Sequence, residues 1–230
     1  MNGTITGRET FLKNLEKRGT FDKTYEPYEP LNDLPKTRLA DKSIDELIEI
    51  AAVRAGQVFA TIVTTTRAGL PDAIGSVVAE NGGGQVLIPT DERFAEFGLV
   101  PSGDPLVVWQ PGREHREANL EAAANSNVAV AFADWFLAES CSAVVYSRPG
   151  QGRALHFLPR HYISIVPASV IVPRTTGVAG TLNSFDHPAV AEGRTVHFIS
   201  GPSNSADIEL ELVVGLHGPL SATYIIVTDA

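Results

Sequence analysis

The hydrophobic and polar positions of the chain alternate between a helical period and a strand period. Ser43 and Glu46 form a capping-box pattern, and apolar residues follow it at helical spacing through about Arg54. Residues 58–63 are rich in β-branched side chains and predict a strand. The alternation continues with predicted helices at 70–78, 92–97 and 114–124 and predicted strands at 85–88, 105–109 and 128–132. This order predicts an α/β fold with a largely parallel sheet and helices on both faces.

The pattern changes in the second half of the chain. From Ser142 onward, short β-branched runs separated by glycine and proline replace the regular alternation. These runs predict strands at 143–146, 162–166, 170–172, 196–199 and 224–227. We therefore expect the sheet to become mixed, so that the fold class is α/β with a mixed, largely parallel sheet flanked by helices.

The N-terminal segment has a different character from the rest of the chain. Residues 7–18 place hydrophobic side chains on one stripe among charged ones, which predicts a short amphipathic helix. Residues 21–35 are rich in tyrosine, proline and glutamate and have no usable period, which predicts an extended tether. The sequence therefore predicts an N-terminal helix and tether at 1–38 and an α/β domain at 39–230.

The composition limits the chemistry that the chain can perform. One cysteine excludes an internal disulfide and any metal or cluster site that needs several thiolates. Residues 43–230 carry 10 basic and 20 acidic side chains and no lysine, which argues against a nucleic-acid surface or a Schiff base. The longest uncharged run, 212–228, has 17 residues and is interrupted by glycine and proline, whereas a membrane-spanning helix needs ~20 apolar residues. We expect a soluble, cytoplasmic protein without a cofactor of its own.

The densest group of candidate ligand-binding residues follows the strand predicted at 196–199. A Gly-Pro pair is followed there by small polar and acidic residues. In a parallel α/β sheet, ligands bind at the loops that follow the carboxyl ends of strands, and hydroxyl groups and free amides can hold an anionic group. The candidate ligand-binding residues are Ser200, Gly201, Ser203, Asn204, Ser205 and Asp207. The same pattern also fits a turn followed by a helix cap.

Two carboxylates and one histidine are candidates for a catalytic role. Glu139 can be a general base or a nucleophile between two strand-like segments, and it also fits the solvated end of a short helix. Glu209 lies in residues 208–212, where apolar and acidic residues alternate as in a strand. A helix-capping pattern precedes this segment, so we prefer to interpret it as a helix. His217, between glycines, can approach a ligand or cap a turn. Cys141 has no basic residue close by in the sequence, and we expect it to be buried and unreactive.

The histidines and glycines form no metal or nucleotide signature. His156 and His161 have a spacing that no helical pair of metal ligands uses, and His115 lies in a charged helical segment. The glycines at 82–84 lack the preceding strand and following helix of a dinucleotide-binding loop. The sequence therefore predicts no metal site.

Several motifs of the second half occur together in one known family. They are Ile199-Ser200-Gly201-Pro202-Ser203, Ala206-Asp207-Ile208-Glu209 and Gly215-Leu216-His217-Gly218-Pro219. Together they closely resemble the C-terminal signature of the LUD domain family. Further resemblance comes from Ala138-Glu139-Ser140, Arg153, Phe157-Leu158-Pro159 and Ile163, and it adds Arg153 to the candidate ligand-binding residues. The chain departs from the pattern at two places, where many members have Arg-Thr and Gly-Thr instead of Asn204-Ser205 and Cys141-Ser142.

This resemblance implies a fold similar to that of the sugar-phosphate isomerase and CoA-transferase group, and a role in lactate utilization. In that role the protein is needed to oxidise L-lactate to pyruvate together with iron-sulfur and cysteine-rich partner proteins, which hold the clusters. A small carboxylate, lactate or pyruvate, would bind at the Gly-Pro-Ser loop. Two alternatives stay open. One is a free-standing isomerase or CoA-transferase-like enzyme that uses Glu139 or Glu209 on a small anionic metabolite. The other is an assembly module that holds a partner through the N-terminal helix and tether.

Overall fold

The computed structural model describes residues 6–18, 31–100, 103–182, 187–205 and 212–230. The chain divides into two compact units, Met1–Asp33 and Leu34–Ala230. The smaller unit contains helix α1 (Arg8–Glu16), which has no buried residue. The other helices and strands belong to the larger unit.

The larger unit alternates helices and strands over most of its length. Its helices are α2 (Leu34–Thr37), α3 (Ile44–Ala55), α4 (Leu70–Glu80), α5 (Arg93–Glu96), α6 (Arg116–Asn125), α7 (Ala154–Phe157), α8 (Thr175–Leu182) and α9 (Pro188–Ala191). Its strands are β1 (Ala60–Thr65), β2 (Val86–Ile88), β3 (Leu106–Val108), β4 (Val128–Phe132), β5 (Trp135–Leu137), β6 (Ser142–Tyr146), β7 (His161–Pro167), β8 (Ile171–Val172), β9 (Val196–Ile199), β10 (Asn204–Ser205), β11 (Val213–Val214) and β12 (Ser221–Val227).

Six strands form a fully parallel sheet in the order β1-β12-β7-β4-β2-β3. The central strands β4, β7 and β12 are almost entirely buried, as expected for strands that are covered on both faces. The predicted α/β fold with a largely parallel sheet is therefore confirmed.

A second sheet contains antiparallel pairs. Its order is β8-β5-β6-β9, in which β5 pairs in parallel with β8 and β6 pairs antiparallel with both β5 and β9. The mixed pairing that the second half of the sequence predicts therefore lies in this smaller sheet, and the six-stranded sheet remains parallel.

The two faces of the parallel sheet pack against different neighbours. On one face, Ile74 of α4 and Phe94 of α5 contact a cluster that includes Ile163 of β7. On the other face, residues of α3, α6 and the second sheet complete the core. Because side chains alternate along a strand, Tyr162 of β7 and Tyr224 of β12 point to this second face. Two buried phenols thus lie between the two sheets.

Helix α3 begins at the capping box that the sequence predicts. The Ser43 side-chain oxygen accepts a hydrogen bond from the Glu46 amide at 3.3 Å, and the Glu46 carboxylate accepts one from the Ser43 amide at 2.8 Å. Leu47 and Ala51 of this helix are buried against the second face of the parallel sheet. The cap fixes the start of the helix, and the apolar residues fix the face that it buries.

The sequence does not predict β5 or α8. Strand β5 has three residues, and a short apolar run has no period that distinguishes a strand from a helix. Helix α8 is rich in threonine and glycine, which have low helix propensity, and it is held in place by the burial of Val178. Neither α8 nor any other helix in the described ranges is long and apolar enough to cross a membrane.

Candidate functional site

The Gly-Pro-Ser loop follows a strand of the second sheet. Strand β9, which precedes Ser200, pairs antiparallel with β6 at the edge of that sheet. The strand predicted at 196–199 is therefore present but lies outside the parallel sheet, and a β-branched run does not indicate which sheet it joins. The loop meets residues 217–219 just before β12. The site therefore faces the ends at which β7 and β12 begin.

A cavity of about 270 Å³ lies between this loop and the segment before β12. Five residues singled out in the sequence line it: Ser200, Gly201, Ser203, Asn204 and His217. The other lining residues are His156, Phe157, Tyr162, Phe198, Ile199, Pro202, Gly218 and Pro219. We call this space the Gly-Pro-Ser cavity. Its volume is several times the ~30 Å³ that one water molecule occupies in the liquid, so it can hold a small organic molecule.

Tyr224 of the parallel sheet holds the start of the loop. Its hydroxyl donates a hydrogen bond to the Ile199 carbonyl at 2.7 Å and accepts one from the Gly201 amide at 2.7 Å. Gly201 has a φ of +74°, and a Cβ at this position would overlap the carbonyl oxygen of Val58. Both the backbone angle and the available space therefore require glycine here.

Ser203 joins the loop to the His217 segment. Its amide donates to the Pro219 carbonyl at 3.1 Å, and its side-chain oxygen accepts from the His217 amide at 3.2 Å. The Ser203 carbonyl accepts from the Gly215 amide at 2.7 Å. Since the hydroxyl acts as the acceptor in its bond to His217, its proton can be donated to a ligand.

Ser200 ends a chain of three hydroxyl groups. Its oxygen lies 2.5 Å from that of Ser142, which lies 2.7 Å from that of Ser140. Between the last two, Cys141 has a φ of +49°, the left-handed conformation that glycine favours. The loop therefore has a glycine-like backbone at a position where many members of the resembling family have glycine. Burial of Cys141 raises the pKa of its thiol to about 12, so the prediction of a buried, unreactive cysteine is consistent with this environment.

Glu139 is bound by two arginines. Arg38 Nε lies 2.6 Å from one carboxylate oxygen, and Arg174 Nε lies 2.5 Å from the other. Glu139 lines a different space, next to Arg38 and the outer side of α3. Because both of its oxygens accept charge-assisted hydrogen bonds, the carboxylate is held as an ion pair in this structure.

The remaining predicted residues lie outside the cavity or outside the described part of the chain. Arg153 lines a neighbouring space, and Phe157 borders both that space and the Gly-Pro-Ser cavity. Ser205 pairs with Val213 in the two-stranded hairpin of β10 and β11. The residues for which the structure gives no description are Asp207 and Glu209, together with most of the segment predicted as a helix at 208–212.

Two polar side chains, His156 and Tyr162, are among the lining residues that were not predicted from the sequence. His156 of α7 is 1% exposed, and its Nδ1 lies 3.0 Å from the hydroxyl of Tyr162. Burial, together with the nearby His197 and Arg148, lowers the pKa of His156 to about 3. The imidazole is therefore neutral at physiological pH. The strand pattern at 162–166 places Tyr162 on an inward face, but no feature of the sequence pairs it with His156.

The described lining of the cavity consists of neutral groups. It contains hydroxyls, one carboxamide, imidazoles and aromatic rings, and no lysine, arginine, aspartate or glutamate. Within the described ranges, no group of three or more histidine, cysteine, aspartate or glutamate residues is arranged to hold a metal ion. This set of donors and acceptors can bind a small polar molecule by hydrogen bonds.

The fold is similar to that of one solved structure, a DUF162 family protein from Deinococcus radiodurans. The TM-score is 0.61 at 19% sequence identity, and the match covers 81% of this chain and 99% of the other. At this identity the similarity shows the fold alone.

Comparison with protein families and curated proteins gives a closer relation. The LUD domain model matches residues 44–227. Proteins named lactate utilization protein C are similar over nearly the whole chain. The one from Geobacillus kaustophilus is 41% identical and the one from Bacillus subtilis 36% identical, each over 99% of this chain and 98% of the relative. The one from Bacillus pumilus is 36% identical over the full length of both chains. The chain therefore belongs to the LUD domain family.

Proposed function

We propose that this protein is a component of the lactate utilization system and is needed for the oxidation of L-lactate to pyruvate in the cytoplasm. The observation that carries the proposal is the similarity to proteins named lactate utilization protein C, which extends over nearly the full length of both chains. Such similarity includes the loop and the segment before β12 that together form the Gly-Pro-Ser cavity.

The chemistry of the cavity supports the binding of a small carboxylate. The hydroxyl of Ser203 and the carboxamide of Asn204 can donate hydrogen bonds to carboxylate oxygens. A hydrogen bond to a charged group contributes about 1.5–3 kcal/mol, so a few such donors are enough to hold a three-carbon acid. The nearby aromatic rings of Phe157 and Phe198 fit its apolar part.

The electrons of the reaction need an acceptor. Oxidation of lactate to pyruvate releases two electrons and two protons, and the chain has one cysteine, whereas an iron-sulfur cluster is held by several thiolates. We therefore assign the acceptor to iron-sulfur, cysteine-rich partner proteins, to which this protein would present or orient the substrate.

Deletion of the gene tests the proposal. A strain that lacks it, and has no second copy, is expected to grow on L-lactate no better than without a carbon source, and to grow normally on pyruvate. The wild-type gene should restore growth, and so should E139Q, because the Glu139 carboxylate is already bound by Arg38 and Arg174. Normal growth of the deletion strain on L-lactate would overturn the proposal. Failure of E139Q alone, with the protein present at the wild-type level, would favour an enzyme that uses Glu139.

Affinity purification tests the assignment of the acceptor. The tagged protein, isolated without oxygen from lactate-grown cells, is expected to carry cysteine-rich proteins that contain iron and acid-labile sulfide. Glucose-grown cells that express the same tagged protein are the control, because there the partners should be scarce. Recovery of the protein alone from both cultures, with and without chemical cross-linking, would contradict the assignment.

A further inference from the structure

We propose that His156 is a ligand-binding residue of the Gly-Pro-Ser cavity, that its Nε2 donates a hydrogen bond to the carboxylate of the ligand, and that the cavity selects monocarboxylates over doubly charged anions. The proposal rests on the function proposed above, and it names a residue and a substrate class for that site. The Nε2 of His156 is a buried polar atom that has no hydrogen-bond partner within the described ranges.

His156 is almost fully buried, and only one of its two ring nitrogens has a partner in the part of the chain that the structure describes. The residue is 1% exposed and lines the cavity. Its Nδ1 is hydrogen-bonded to the hydroxyl of Tyr162, whereas its Nε2 is buried without a hydrogen-bond partner among the described residues. A buried polar atom without a partner costs about 1–3 kcal/mol, and such atoms are rare in native proteins. A ligand in the cavity that accepts a hydrogen bond would remove this cost.

The bond to Tyr162 determines which nitrogen carries the proton. Burial raises the pKa of the Tyr162 phenol, which therefore keeps its proton and needs an acceptor. The Ser164 hydroxyl lies next to this phenol and lowers its pKa, as a group that donates a hydrogen bond to the phenol oxygen does, although by geometry its oxygen has no partner among the described residues. If Tyr162 donates to Nδ1 of His156, one donor stays unpaired, the N–H at Nε2. If Nδ1 donates to Tyr162, both the phenol proton and the Nε2 lone pair stay unpaired. The first arrangement leaves fewer unpaired atoms, so Nε2 is the donor.

The neutral lining determines the charge of the ligand. The imidazole of His156 is neutral, and the described lining has no cation. Neutral donors can replace part of the hydration of a carboxylate, which has one charge. A phosphate group would bring nearly two charges into the same site without a compensating cation, at a higher desolvation cost. The cavity therefore fits lactate, pyruvate or another short monocarboxylate.

His197 provides a matched control. It is a second, half-buried imidazole, its ring centroid lies 6.3 Å from that of His156, and its Nε2 also lacks a partner among the described residues. Burial and the nearby Arg153 lower its pKa as well. Its ring packs against Phe157, and it is not part of the cavity lining. The two histidines thus share their chemistry and differ in their access to the cavity.

The test is a titration of ¹⁵N-histidine-labelled protein, followed by NMR, with acetate, L-lactate, pyruvate and inorganic phosphate as probes. We expect the free wild-type protein to carry the His156 proton on Nε2, and this nitrogen to shift saturably with the three carboxylates. The Kd for them should be at least about tenfold lower than that for phosphate, because the additional charge of phosphate must be desolvated without a compensating cation in the described lining. Among the variants, H156N should raise the carboxylate Kd about 10–100-fold. H156Q, whose amide nitrogen reaches the position of Nε2, should change it by less than about fivefold, and H197Q should leave it unchanged.

Each other result overturns the proposal. The proposal is wrong if a folded H156N variant binds carboxylates with wild-type affinity, if phosphate and acetate bind with equal affinity, or if the His156 proton lies on Nδ1. If H156N does not fold, Y162F is measured instead. The proposal is also wrong if Y162F keeps both the Nε2 tautomer and the wild-type affinity. Absence of carboxylate binding by the wild-type protein would overturn this inference, while growth of the deletion strain on L-lactate decides the proposed function separately.

Discussion

Replacement of Gly201 by alanine is expected to lower the free energy of unfolding by about 2–5 kcal/mol. The left-handed backbone at this position costs about 1–2 kcal/mol for a residue with a Cβ. Overlap with the Val58 carbonyl adds about 1–3 kcal/mol, because a backbone atom cannot move aside as a flexible side chain can. Urea unfolding of the wild-type and G201A proteins, followed by circular dichroism, measures the difference.

Two other glycines separate the causes of this loss. Gly82 has a φ of +90° and open space around its Cβ position, so G82A should cost about 1–2 kcal/mol from backbone strain alone. Gly180 lies inside α8 with open space, so G180A should stabilise the protein by about 0.5–1 kcal/mol. If G201A lowered the free energy of unfolding by no more than G82A, the close contact between Gly201 and the Val58 carbonyl would be contradicted.

The wild-type protein is expected to lose stability steeply in acid because of His156. The pKa of its imidazole is about 3 in the folded protein, against about 6.5 in an unfolded chain. As the pH falls from about 6.5 to about 3, His156 binds a proton in the unfolded state and stays unprotonated in the folded state. Stability from this group is therefore complete above about pH 6.5 and is lost between about pH 6.5 and 3, at about 1.4 kcal/mol per pH unit. Between pH 6.5 and 4.5 the loss from His156 is expected to be about 2–3 kcal/mol.

The variant H156Q isolates this contribution, since glutamine does not titrate. Urea unfolding at a series of pH values should give a shallower pH dependence for H156Q than for the wild type. The carboxylates and His197 titrate in both proteins, so their effects cancel in the comparison. Parallel curves for the two proteins would show that His156 is accessible to protons in the folded state, which is incompatible with its burial.

The first half of the fold could be predicted from the sequence because its signals are local. The Ser43 capping box and the helical spacing after it determine α3 without any distant contact. The Gly-Pro-Ser loop could be predicted as a candidate site for the same reason, since Ser200 to Asn204 are consecutive. The cavity forms only where these residues meet His217. The sequence suggests this contact, because His217 follows the loop closely along the chain and lies between two turn-forming glycines.

The rest of the site depends on contacts that a linear pattern does not contain. His156 and Tyr162 become neighbours only when β7 enters the parallel sheet and α7 packs beside it. Glu139 has the sequence features of a candidate base, but its two arginines come from distant segments, at positions 38 and 174. The assignment of β9 to the second sheet is likewise set by its pairing with β6 and not by its composition. The helix predicted at 208–212 stays a prediction.

The two hydrogen bonds of Tyr224 have a mechanical consequence. The phenol extends from a central strand of the parallel sheet, and its oxygen holds both the carbonyl that ends β9 and the amide that begins the loop. The distance between the two sheets at this point is therefore set by the length of one tyrosine side chain. Any sliding of one sheet over the other would move the loop relative to His156, so the depth of the cavity depends on how the two sheets are aligned.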